Sequence, residues 1–423
     1  MTGTRNVQSL KIEVNTDELI QRIEQLASIS DCPEPPPAVT RVVFTETDLK
    51  ARALLGSLYE AAGLNVRVDA IGNTFARWVG SEPHEAAVGT GSHTDAIPHS
   101  GMYDGTVGVL GGLEAILALK RAGFQPRRSI ELVMFTSEEP TRFGMGCTGS
   151  RAMAGAISIE RLVELVDDAG DNYDVVRKRA GFEGSLESVR LQEGYYHAWL
   201  ELHIEQGPEL EAASRDIGVV TAIAAPATYL FEVVGVGGHA GAVLMPKRRD
   251  ALCSAAKIVL AIEYLAKKSI SPDLVATVGQ LHVHPGAINS IPSHVRFSMD
   301  IRDTDMTNRD DVVAEAVAWA GRIAKQREVD VRHLCLNSDP PAISSPIIID
   351  AVEKACDEAA VTRQRMISRA YHDSLFMARI SPSGMIFIPC RGGVSHRPDE
   401  YSAPEQIAKG VSVLARALAN LAE

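Results

Sequence analysis

The pattern of apolar and polar positions gives the chain two textures. After two N-terminal helices, apolar strands alternate with apolar-faced helices from about Gly63 to His203, and the alternation resumes after Asp339-Pro340-Pro341. Asn15-Thr16-Asp17-Glu18 supplies a polar cap and an acidic first turn, which meet exposed backbone N–H groups and predict a helix to about Ser28. The run Cys32-Pro33-Glu34-Pro35-Pro36-Pro37 predicts a stiff loop, because proline lacks the backbone donor a helix needs. Thr45 to Ala62 is expected as a second helix, closed by Gly63. Val88-Gly89-Thr90-Gly91-Ser92 ends a strand of small residues, Val109 to Leu119 forms an apolar helix, and Ile130 to Phe135 has the composition of a buried strand. Alternation of this kind predicts a mostly parallel sheet with helices on both faces.

Past Ala224-Ala225-Pro226 the order changes. Strands are expected at Thr228 to Val236, Leu274 to His284 and His294 to Arg302, with helices at Asp250 to Lys267 and Asp311 to Gln326. This β-α-β-β-α order suits a four-stranded sheet with two helices on one face. The expected fold is therefore α/β, with a discontinuous domain over 1–224 and 338–423 and an inserted α+β domain over 225–337.

Composition narrows the class. At 423 residues the chain exceeds the ~250–300 at which single cores tend to divide. Its 45% hydrophobic and 23% charged residues are those of a folded protein. A net charge of -12 argues against a nucleic-acid partner, which requires a cationic face. No segment reaches the ~20 apolar residues of a membrane span, and the first twenty residues lack a signal-peptide core. The six cysteines form no C-x-x-C pair, which fits a reducing compartment. A cytoplasmic protein without a membrane partner is expected.

The candidate chemistry lies where strands end. His93-Thr94-Asp95 follows the small-residue strand, Asp104 sits in Tyr103-Asp104-Gly105-Thr106 before a helix, Glu138-Glu139 follows Ile130–Phe135, and His203 and His396 end or follow later strands. Each alone has an ordinary structural reading. In this order, at the carboxyl ends of strands, they point to two divalent cations sharing one site, a device for hydrolysis. His93, Asp104 and His203 are expected to hold the first ion, and Asp104, Glu139 and His396 the second, Asp104 bridging. Asp95 is expected to accept the other ring N–H of His93, and Glu138 to act as general base. Imidazole and carboxylate donors suit zinc, manganese, cobalt or nickel.

The motifs GSHTDAIPHSGMYDG, FTSEEPTRFG, ELHIEQGPEL, GGHAGAVLMP, HPGAINSIP and SRAYHDSLFMARISPSGMIFIPC resemble those of the dinuclear-metal amidohydrolases that act on N-carbamoyl and ureido acids, within the aminoacylase and carboxypeptidase superfamily. The resemblance runs from about Leu54 to the C-terminus. Pro140, Ala242-Val243-Leu244 and Tyr371 depart from the commoner family residues toward the ureidoglycolate branch. The resemblance implies a small anionic ureido acid as substrate: ureidoglycolate, giving glyoxylate, ammonia and carbon dioxide, with N-carbamoyl-L-amino acids or allantoate as alternatives. A dipeptidase, an aminoacylase and a silent binding protein are more distant readings. It further implies manganese with zinc as substitute, Asn289 and Arg302 as the clamp for the substrate carboxylate, and Gln206 and His372 as substrate contacts. The inserted domain is implied to be a lid and dimerisation domain, whose His239 enters the partner subunit's site in a homodimer to stabilise the developing oxyanion.

Overall fold

The computed structural model describes residues 10–32 and 38–423, so the proline run expected as a stiff loop lies outside the described residues. The chain forms two compact units. One runs to Ala222 and resumes over Ile343–Ser368 and His372–Glu423; the other comprises Ile223–Ala342 and Arg369–Tyr371.

The first unit is built on a nine-stranded sheet in the order Ala342–Ile343, Ile217–Ile223, Ser383–Ile388, Tyr196–Ile204, Ala87–His93, Ile130–Phe135, Thr74–Trp78 and Asn65–Val68, with Arg363–Ser368 also pairing onto Ile217–Ile223. Its central strands, from Ser383–Ile388 through Ile130–Phe135, are parallel. Flanking pairs with Ile217–Ile223, Thr74–Trp78 and Asn65–Val68 are antiparallel. The sheet is thus mixed, which corrects the expectation of a mostly parallel one. The turn between Asn65–Val68 and Thr74–Trp78 is too short for a crossover, so those strands can only form a hairpin.

Ala87–His93 and Ile130–Phe135 are buried at every position, as central strands covered on both faces must be. In Tyr196–Ile204 the residues Leu200, Leu202 and Ile204 join the apolar cluster of helices Thr16–Ala27, Thr106–Arg121, Pro346–Glu358 and Pro404–Leu421. Alternation turns Trp199, Glu201 and His203 to the other face. There Trp199 Nε1 donates to Ser374 Oγ at 3.0 Å. The helix starts are set locally: Asn15 caps Thr16–Ala27, and Thr45 caps Glu46–Ala61 by accepting from the Asp48 N–H at 3.2 Å.

The second unit carries a five-stranded antiparallel sheet, ordered Val275–Thr277, His294–Asp303, Ala225–Val234 and Asp330–Ser338, with Leu281–His284 also on His294–Asp303. The strand expected over Leu274 to His284 is broken in two, both parts pairing the same neighbour. Asp330–Ser338 is the strand that the sequence reading did not name. Helices Ala251–Lys268 and Met306–Arg327 pack with one face of this sheet in a separate apolar cluster. The second helix begins earlier than its apolar pattern suggests, because Asp305 caps it through the Thr307 and Asn308 N–H groups. All six cysteines are free, and among the described residues no helix is long and apolar enough to cross a membrane.

Candidate metal centre

The parallel strands bring their chemistry to one edge. Ala87–His93 ends on His93, whose register partner is Phe135, the last residue of Ile130–Phe135; Thr136-Ser137 then leads to Glu138 and Glu139. His203 lies one residue from the end of Tyr196–Ile204 and beside Phe387. The chain leaving Ser383–Ile388 reaches His396, and Asp104 lies just before helix Thr106–Arg121. Four neighbouring parallel strands thus each contribute at their carboxyl ends, where open α/β sheets offer ligand sites.

Two groups of ligand-type atoms gather there, His93 with Asp104 and His203, and Asp104 with Glu139 and His396; within each group the atoms lie within 4.8 Å of one another. Asp104 divides its oxygens between them. Its Oδ1 lies 3.1 Å from His203 Nε2 and 3.7 Å from His93 Nε2, while its Oδ2 lies 3.2 Å from His396 Nε2. His396 Nε2 is also 3.3 Å from Glu139 Oε1.

The surroundings fix the donors. His93 Nδ1 lies 2.9 Å from the Asp95 carbonyl oxygen, and His203 Nδ1 lies 2.8 Å from the Ile204 carbonyl oxygen. A carbonyl only accepts, so each Nδ1 carries the proton and each Nε2 turns its lone pair into the cluster. Gly105 adopts φ +64°, and a Cβ there would sit 2.5 Å from His93 Nε2, so this turn admits only glycine. This donor set, with imidazole tautomers fixed and carboxylates converging, fits a pair of divalent cations.

Asp95 accepts from the His93 ring as expected, but through its backbone carbonyl and not its carboxylate. Its carboxylate is 3.7 Å from His93 Nδ1, and its two oxygens instead accept the N–H groups of Glu138 at 3.2 Å and Glu139 at 3.1 Å. The residue before them, Ser137, has φ 56°, so a tight left-handed turn is clamped onto Asp95. Glu138 and Glu139 therefore leave the strand in different directions. Glu138 stands outside both ligand groups, its Oε2 3.7 Å from His93 Nε2 and its Oε1 accepting from the Cys147 thiol at 3.3 Å.

The charges are strongly coupled. Burial, reinforced by Glu139, Asp373 and Asp95, pushes the Glu138 carboxyl well above its ordinary value. For His93, burial works against the charged ring, but Glu138, Asp104 and Asp95 overcome it and raise its pKa. Hydrogen bonds to Asp104 and then Glu139 raise His396 to about 11. For Asp104, burial is outweighed by the three imidazoles, which hold it well below the carboxylate range.

Of the remaining predicted residues, Gln206 and His372 belong to the first unit. Gln206 Nε2 donates to Asp104 Oδ2 at 2.8 Å, leaving its buried Oε1 without a partner. His372 lies edge-on to His203, ring centroids 4.5 Å apart, with Nε2 3.0 Å from Ser368 Oγ. Glu201, His203 and His372 also form a ligand-type group. However, Glu201 already accepts from Ser92 Oγ, Ser374 N and Ser374 Oγ, so it is a satisfied buried carboxylate rather than an open donor.

His239, Asn289 and Arg302 belong to the second unit. A two-stranded ladder pairs His239 with Ser290, and the Ala240 N–H donates to the Asn289 carbonyl at 2.9 Å, so His239 and Asn289 are neighbours and both are exposed. Arg302 Nε donates to Asp300 Oδ1 at 2.7 Å. Sequence reasoning passed over Glu400, Ser395 and Cys147, each hydrogen-bonded to a residue of the cluster. Their proximity to predicted ligands, in Ser395-His396 and in FGMGC after Glu138-Glu139, was the one available signal.

Residues 89–420 match the profile of Peptidase family M20/M25/M40. The chain is 51% identical over 426 residues to ureidoglycolate hydrolase of Arabidopsis thaliana, covering 99% of this chain and 89% of that one. It is 38% identical to N-carbamoyl-L-amino acid amidohydrolase of Geobacillus stearothermophilus, covering 97% of this chain and 99% of that one. The crystal structure of AtUAH in complex with (S)-hydroxyglycine matches with a TM-score of 0.90 at 51% identity, over 99% of this chain and 100% of that chain.

Proposed function

Because the chain belongs to Peptidase family M20/M25/M40, we propose that it hydrolyses the ureido C–N bond of a small carboxylic acid, ureidoglycolate, at a dinuclear metal centre. The observation that carries this reading is Asp104, whose two oxygens each face a different imidazole-bearing group while the buried Glu138 stands outside both. Manganese is the proposed ion, with zinc, cobalt or nickel as substitutes that the same donors accept. When bound, two such cations lower the pKa of a shared water and polarise the substrate carbonyl.

Glu138 takes the proton from the attacking water and delivers it to the leaving nitrogen as the C–N bond breaks. Glu138 is buried, outside both ligand groups and within reach of them, as a group that accepts and returns a proton must be. Asp95 holds Glu138 and Glu139 apart in their separate roles. Arg302 and Asn289 take the substrate carboxylate, guanidinium supplying two parallel donors. His239 of a second copy stabilises the developing oxyanion in a homodimer formed through the second unit, which also serves as a lid. Gln206 and His372 make further substrate contacts.

Addition of one water to ureidoglycolate releases ammonia and carbon dioxide and leaves hydroxyglycine. That carbinolamine expels a second ammonia to give glyoxylate. The hydroxyglycine complex of AtUAH supports this route, as do the departures at Pro140, Ala242-Val243-Leu244 and Tyr371. The test supplies the manganese-loaded protein with ureidoglycolate, allantoate, N-carbamoyl-L-amino acids and dipeptides. The expected result is the highest kcat/KM for ureidoglycolate, with two ammonia released per glyoxylate. A higher value for another ureido acid reassigns the substrate, and turnover of dipeptides alone overturns the reading.

A further inference from the structure

We propose that Glu400 is a positioning residue that ties the Asp104 loop to the His396 loop and thereby sets the affinity of the cation shared by Asp104, Glu139 and His396; this rests on the two-cation reading above. Glu400 is 2% exposed. Its Oε1 accepts the N–H groups of both Tyr103 and Asp104 at 3.0 Å, and its Oε2 accepts from Ser395 Oγ at 2.9 Å. Ser395 Oγ is in turn 3.0 Å from Asp104 Oδ2. A single carboxylate therefore spans two loops that are 296 residues apart in sequence. A Cβ on Gly101 would lie 2.4 Å from the Glu400 Cβ, so the loop leading to Asp104 closes directly on this side chain.

The two ligand groups differ in their need for such a tie. His93 and His203 stand on strand ends, each with Nδ1 held by a backbone carbonyl. His396 is exposed and occupies a left-handed conformation, φ 58°, that a non-glycine residue keeps only when its surroundings hold it. Ser395 has one hydroxyl proton and cannot donate to Glu400 and Asp104 at once. With Asp104 Oδ2 turned to a cation, the hydroxyl stays on Glu400 and the His396 loop remains tethered.

The test is a two-site manganese titration of the metal-stripped full chain against a chromophoric chelator, with the melting temperature of the metal-free protein as control. In Glu400→Gln the amide oxygen can still accept the Tyr103 and Asp104 N–H groups, but the NH2 that replaces Oε2 cannot accept the Ser395 hydroxyl proton. One cation is expected to bind as in the parent and the other about ten- to hundredfold more weakly, the usual cost of removing a partner behind a ligand. Ser395→Ala, which deletes only a hydroxyl, should weaken the same cation and decides the matter if Glu400→Gln does not fold. Parent-like affinity for both cations, or equal weakening of both with a lowered melting temperature, overturns the proposal. A parent protein that binds fewer than two cations would instead overturn the two-cation reading.

Discussion

In the first unit the polar residues singled out are mostly buried and fastened, His396 being the exposed one, whereas in the second unit His239 and Asn289 are exposed and lightly held. His93, Glu139 and His203 are almost inaccessible, and their ring nitrogens or peptide groups are fixed by Asp95 or by backbone carbonyls. His239 and Asn289 are exposed on a two-stranded ladder, with the His239 ring accepting the Gly241 N–H at 3.1 Å. Burial with fixed donors is what a preorganised ion site needs, since ordering costs are met during folding. Exposed donors can only recognise something that arrives. The first group should therefore govern cation retention and chemistry, and the second substrate affinity.

The sharpest attempt to break this contrast is Glu138→Gln. It preserves shape and the contact with Cys147, so both cations should remain while kcat falls by about 10²–10⁴, the usual contribution of a general base. Metal content by elemental analysis, alongside kcat, checks it; loss of a cation would make Glu138 a ligand instead. A smaller effect is expected for Arg302→Lys, which loses bidentate geometry but keeps charge. Here KM should rise by roughly 10–100-fold, the worth of a hydrogen bond to a charged group, with cation content unchanged. An unchanged KM for the carboxylated substrate would remove Arg302 from the clamp.

The gentlest probe is pH. The raised pKa of His396 means that below about 11 the metal-free ring holds a proton, and a cation must displace it. Affinity should therefore increase with pH, by about tenfold per unit for each proton displaced, as measured by competition titration. The sign for stability is opposite. In metal-free protein the His396 contribution is fully present below the ordinary value of 6.5 and is lost as pH rises through about 11. A cation affinity independent of pH would sink this account.

Local signals were legible where their cause is local. Asn15, Thr45 and Asp250 announce their helices because a capping side chain bonds its own next turn. Antiparallel flanks were not legible from strand–helix alternation, since pairing direction depends on which strands become neighbours. The break between Val275–Thr277 and Leu281–His284 was equally hidden, because both pieces carry continuous strand-like composition.

By itself the sequence determined which chemistry-bearing residues stand at the ends of apolar strands, because the length and ending of an apolar run are properties of a few adjacent residues. Tertiary structure alone decided that Asp104 gives one oxygen to each ligand group, that the Asp95 carboxylate clamps the two glutamates while its backbone carbonyl meets the His93 ring, and that Glu400 reaches the Asp104 loop. All but the carbonyl contact arise from strand order and register, which join residues from 43 to 296 positions apart and leave no trace in the spacing along the chain.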